Sequence, residues 1–161
     1  MKKYLLTTIF ACFAFLASAQ RTQHALGFHF GGSTMDLEYQ YHYNNKNFFD
    51  VSAGIFDLGD GFLLQGVYNW NIQRWSDWTP RFATWKLWGG AGAGLGYVNE
   101  DHAEGMMIGP VGNIGFGFTL KAAPITIGVD YRPMLAFAIG NDSGVVGKGF
   151  ANLGLTMTYR F

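Results

Sequence analysis

The sequence predicts an all-β chain, an eight-stranded antiparallel up-and-down transmembrane β-barrel, on three observations. The last nine residues, Leu153 to Phe161, alternate without error. Successive strand side chains point to opposite faces, so Leu153, Leu155, Met157, Tyr159 and Phe161 share an oily face while Gly154, Thr156, Thr158 and Arg160 share the other. The same alternation recurs seven times upstream, in segments able to cross a membrane, for which about 9–11 tilted residues suffice. Composition agrees: 23 glycines and 17% aromatic against 14% charged residues suit strands and poorly suit helices.

The chain opens with Met1-Lys2-Lys3, an apolar run from Tyr4 to Leu16, and Ala17-Ser18-Ala19 before Gln20. That is the layout of a secretory signal peptide, residues 1–19, cleaved after Ala19. The run is too short for a membrane anchor, which needs about 20 apolar residues. Residues 20–161 are then expected to form one barrel domain. Cys12, the sole cysteine, leaves with the leader, which removes disulfides and thiolate metal sites from consideration. Losing Lys2 and Lys3 leaves 9 of the 11 basic residues against 11 acidic ones, a formal −2 that does not suggest a nucleic-acid partner.

The first strand is expected near Thr22 to Gly31, with Leu26, Phe28 and Phe30 outward and His29 inward. The second, Met35 to Tyr43, sets Asp36, Glu38, Gln40 and His42 on one face, opposite Met35, Leu37 and three tyrosines. The third runs from about Phe48 to Phe56, and the fourth from Phe62 to Ile72 with Gln65, Asn69 and Asn71 inward. In the fifth, Trp85 to Tyr97, Lys86, Trp88 and four glycines face inward. The sixth covers Met106 to Leu120 and the seventh Ile125 to about Phe137, the latter with Asp130 and Arg132 inside. The terminal segment is the eighth.

A soluble sandwich would pack such apolar faces against each other and need protected edges, whereas a barrel has none. Outward aromatic residues cluster at one set of strand ends: Tyr41, Tyr43, Phe49, Tyr68, Trp70, Trp85 and Phe118, with Tyr159 and Phe161. They are expected to form a girdle at one membrane interface. With both termini on the periplasmic side, outer loops hold Asp57, Asp60, Glu100, Asp101, Glu104 and Asp142 against Lys148. Inner turns hold Lys46, Arg74, Arg81 and Lys121 against Asp77. The outer connections Val98 to Gly105 and Ala138 to Gly149 are short for grasping a large ligand.

A narrow eight-stranded barrel is filled by side chains. The expected lumen network comprises His29, Asp36, Glu38, His42, Asp50, Lys86, Asp130, Arg132 and Arg160, the acids neutralising the cations. Parity suggests His29 across from Asp36, His42 across from Asp50, Thr119 across from Thr126 and Asn113 across from Arg132. No wide pore is expected. A hydrolase reading needs a serine within reach of a histidine oriented by a carboxylate; Ser52, two residues from Asp50 on the same inward face and near His42, is the candidate, and no nucleophile motif surrounds it. Glu100, Asp101, His102 and Glu104 offer mixed metal ligands, but a solvated acidic loop tip is the simpler account. The Gly-x-Gly runs lie inside strands and precede no helix, so they are not phosphate cradles. No catalytic residue, metal site or cofactor is assigned.

Trp85 to Tyr97, Pro124 with Val129-Asp130-Tyr131-Arg132-Pro133, and Thr158-Tyr159-Arg160-Phe161 resemble the small outer-membrane β-barrel proteins of Bacteroidetes, over roughly the C-terminal half. Gln20 after an Ala-x-Ala site resembles that group's exported proteins as well. The resemblance implies an eight-stranded barrel, no known enzymatic activity, and insertion by the barrel-assembly machinery, for which Tyr159 and Phe161 would form the assembly signal. The expectation is thus a non-enzymatic protein of a Gram-negative outer membrane, in contact with its lipid and lipopolysaccharide, with a structural or surface-interaction role. A narrow porin-like channel and a lipid-modifying enzyme are the alternatives.

Overall fold

The structure, a computed structural model, describes residues 23–59, 61–100, 103–142 and 144–161. The expected leader lies outside these residues, as do Asp60, Asp101 and His102. Ten strands make up the sheet: β1 (His24–Gly31), β2 (Thr34–His42), β3 (Asn47–Phe56), β4 (Gly61–Trp75), β5 (Ala83–Glu100), β6 (Ala103–Leu120), β7 (Ile125–Tyr131), β8 (Ala136–Asp142), β9 (Gly144–Val146) and β10 (Leu153–Arg160). Neighbours pair antiparallel from β5 back to β1, then through β10 and β7 to β6, and β5–β6 pairing closes the ring. Closure leaves the main sheet without free edges, and the topology is the eight-stranded up-and-down barrel that the alternation predicts.

Ten strands reduce to eight staves because two staves are interrupted. β7 and β8 both pair with β6 in one continuous register, Ile114 with Tyr131 and Ile108 with Phe137, bridged by Val111 and Met134. Pro133 sits in the gap; lacking an N–H, it cannot donate to the ladder. The last stave is likewise composite. β9 pairs back on β8, a short 3-10 helix (Gly147–Phe150) follows, and β10 resumes against β7 and β1.

The start of β1 and the end of β10 lie at one end of the barrel, the near end, marked by His24 and Arg160. Several far-end expectations shift. The expected Val98 to Gly105 loop is largely strand: β5 and β6 run on to Glu100 and Ala103, which pair with each other. Ala138 to Gly149 holds the rest of β8, β9 and the short helix. These segments lie beyond the region of sustained alternation, so period two could not reveal them.

Facing follows the alternation closely. Phe28, Phe30, Leu37, Leu64, Ile114, Leu155 and Met157 are exposed, while His29, Glu38, Gln65, Asn113, Asp130 and Thr156 between them are buried. The interior is not uniformly polar. Toward the far end, Phe56, Leu63, Val67, Val98, Met107, Val111, Met134, Ala136, Ala138 and Val146 form one buried apolar cluster. The short helix lies over it: Met134 donates its backbone N–H to the Gly149 carbonyl at 2.9 Å, and Ser33 Oγ donates to the Lys148 carbonyl at 2.5 Å. An ion pair from Lys148 to Asp57 joins this helix to the β3–β4 turn.

Candidate functional site in the barrel lumen

The centre of the lumen is held by Arg132, on the segment that links β7 to β8. Its Nη2 lies 2.8 Å from Asp130 Oδ2, 3.3 Å from Glu38 Oε2 and 3.6 Å from Asp50 Oδ2. Arg132 and these three acids are all buried. Thr156 Oγ1 donates to Glu38 Oε2 at 2.9 Å, and Gln40 Nε2 reaches both Glu38 and Asp50. β2, β3 and β7 thereby meet through one guanidinium, whose several donors suit it to multiple carboxylates, and β10 joins through Thr156.

Beside this cluster, Asp36 Oδ2 accepts from Thr34 Oγ1 at 2.7 Å and lies 3.1 Å from His29 Nδ1. The other ring nitrogen, Nε2, is 3.2 Å from Asp130 Oδ1, at ion-pair distance although off the hydrogen-bond line. Room for the ring comes from Gly154 across the β1–β10 ladder, where a Cβ would sit 2.5 Å from Nε2. His29 and Asp36 are cross-strand partners, as parity suggests.

The β2–β3 register corrects one expectation. His42 lies across from Phe48, and Gln40 rather than His42 opposes Asp50. His42 instead stacks on Phe48, ring centroids 5.0 Å apart, and its Nε2 meets Gln40 Oε1 at 3.1 Å. A two-residue slip preserves facing, so parity could not tell these registers apart. Thr119 does face Thr126, their hydroxyls 2.8 Å apart. Asn113 also sits opposite Arg132 in the register, between Ile114 with Tyr131 and Gly112 with Pro133, although its side chain donates to Asn69 Oδ1 at 2.8 Å.

Lys86 departs from the expected pairing with the acids. Asp36 is taken up by His29 and Thr34, and Glu38 by Arg132, Thr156 and Gln40. Lys86 Nζ instead lies 5.1 Å from the Trp88 ring centroid and 5.8 Å from that of Phe48. Trp88 is buried across the lumen against Gly115 and Gly128, where any Cβ would collide with the indole. Lys86 and Arg160 line a cavity at the near end together with Arg74, a residue that alternation did not place inside.

The considered nucleophile set is not assembled. Ser52 Oγ donates to Gln65 Oε1 at 3.4 Å, while His42 faces Gln40. Of the acidic loop, Asp101 and His102 lie outside the described residues, and Glu104 Oε1 accepts from the Tyr97 hydroxyl at 3.3 Å.

The aromatic residues expected in the girdle lie at the near end. Tyr41 and Tyr43 meet edge to face at 5.0 Å, Tyr43 reaches Tyr68 at 6.3 Å, and Tyr68 reaches Trp70 at 5.7 Å. Trp85 contacts Phe116 and Phe118, each at 5.2 Å. Phe49 pairs with Tyr41 across the ladder, Tyr159 pairs with Leu26, and Phe161 stacks 6.2 Å from His24.

No family model matches the chain, and comparison with curated proteins and with solved structures returns no match. The functional reading therefore rests on the geometry alone.

Proposed function

We propose that this chain is an integral outer-membrane β-barrel protein, without enzymatic activity, whose role is structural or lies in surface interaction. The observation that carries the proposal is the barrel's outer wall. Leu26, Phe28, Phe30, Leu37, Val51, Ile55, Leu64, Leu95, Ile114, Val129, Leu155 and Met157 are large, apolar and at least 41% exposed, on consecutive staves that close into a ring. Soluble monomers rarely expose a contiguous apolar patch beyond a few hundred Å². A belt around a closed barrel is what a hydrocarbon environment accommodates, since closure leaves no unpaired sheet edge facing lipid. The ring-to-ring contacts at the near end supply amphipathic anchors at one edge of that belt. On this reading the near end, with His24 and Arg160, faces the periplasm.

A filled lumen favours a structural role over conduction. Arg132 and its acids occupy the centre, the apolar cluster occupies the far half, and the short helix lies across it. Export by the leader, delivery by the barrel-assembly machinery through Tyr159 and Phe161, and contact with lipid and lipopolysaccharide belong to the same proposal. The test is fractionation of a Gram-negative host expressing the full chain. The expected result is a protein in the outer-membrane fraction, resistant to carbonate extraction, that migrates faster unheated than boiled. Recovery as a soluble protein without detergent overturns it.

A further inference from the structure

We propose that the near-end cavity is a binding site for a phosphoryl oxyanion. It is a space of about 60 Å³ lined by Arg74, Lys86 and Arg160 together with neutral donors such as Asn71, Thr126 and Thr158. That is well above the roughly 10–15 Å³ a single water needs, so a small polar group fits. No carboxylate belongs to its lining. Among the described residues, none lies within 4.0 Å of the Lys86 or Arg74 cationic atoms.

The backbone has been altered to make this arrangement. Along β4 the inward positions are odd, Leu63 through Asn71, and continued alternation would turn Arg74 outward. A bulge between Asn71 and Gln73 shifts the register by one residue. Parity inverts beyond it, and Arg74 comes to lie directly across from the inward Lys86. Bulges re-aim side chains in this way. The result is two like charges at directly opposed positions, an arrangement that destabilises a sheet in the absence of anything between them. Arg74 donates weakly to the Asn45 carbonyl at 3.4 Å, and the Lys86 ammonium lies over the Trp88 and Phe48 rings. An oxyanion at the mouth turns this repulsion into a charge-assisted clamp, with guanidinium forks suited to two oxygens at once.

The phosphoryl group has two possible sources, free phosphate in the compartment at the near end or the headgroup of an anionic phospholipid, and the two are separable. Inorganic phosphate is titrated calorimetrically into the refolded mature barrel in zwitterionic detergent. In parallel, barrels extracted from vesicles of phosphatidylcholine with phosphatidylglycerol are weighed intact by native mass spectrometry. Saturable binding of one phosphate identifies the free anion; retention of one phosphatidylglycerol identifies the lipid. In either arm, Lys86→Gln and Arg74→Gln are expected to weaken binding at least tenfold, and Lys121→Gln, at the same end but outside the cavity, to leave it unchanged. Arg74 is solvent-exposed, so Arg74→Gln retains the heat-modifiable fold and carries the test alone if Lys86→Gln does not fold. Neither ligand retained, or equal loss in all three variants, overturns the proposal.

Discussion

The two halves of the lumen are built on different physics. The far half resembles the core of a soluble protein: Phe56, Leu63, Met107 and Met134 are all but inaccessible and belong to one apolar cluster. Toward the centre and near end, buried carboxylates surround Arg132, and Lys86 and Arg74 line the mouth. Apolar burial adds stability in proportion to area. Buried charges must first overcome desolvation, and their attraction returns that cost only where geometry is good. The contrast assigns stability to the far half, and to the charged half the choice of which strands meet, since one guanidinium joins residues from β2, β3 and β7.

That division can be broken in several ways. The largest effect is expected from Arg132→Met, which leaves Asp130, Glu38 and Asp50 buried without their shared cation. Loss of about 3–5 kcal/mol is expected, measured by urea unfolding of the barrel in vesicles. Met134→Ala empties space in the apolar cluster and is expected to cost about 2–4 kcal/mol in the same assay. On the outer wall, Leu155→Arg is expected to cost about 2–4 kcal/mol if the site lies near the bilayer midplane, whereas Thr156→Ser, which keeps the hydroxyl to Glu38, should change little. The sharpest comparison joins Arg132→Met with Glu38→Leu, Asp50→Leu and Asp130→Leu. If the charges select register rather than supply stability, this variant unfolds at the same urea concentration as the parent or higher, by up to about 4 kcal/mol. A loss as large as that of Arg132→Met alone would make the network a net source of stability.

The same contrast explains what was legible in the sequence. All eight staves were, because oily and polar positions alternate wherever the lumen is polar. Asp36, Glu38, Gln40 and His42 announce β2 without ambiguity. The apolar half was not legible, because Phe62-Leu63-Leu64 and Met106-Met107-Ile108 are apolar on both faces and period two vanishes there. The His29–Asp36 partnership followed from parity across a short turn. The misplaced His42–Asp50 partnership had the same parity as the observed register, and only the β2–β3 turn decides between them. Arg74 was missed for a different reason. The fourth strand was expected to end at Ile72 with Arg74 in an inner turn, whereas a bulge, which leaves no mark on composition, carries β4 on to Trp75 with its facing reversed.

The most direct test concerns the outer wall, on which the membrane reading depends. Cys12 is the chain's sole cysteine and falls within the predicted leader, so single cysteines at positions 37 and 155 can carry spin labels in the mature barrel reconstituted into vesicles. High accessibility to oxygen with low accessibility to an aqueous nickel chelate at both positions is the expected result. High nickel accessibility at both would place the apolar belt in water and contradict the membrane assignment.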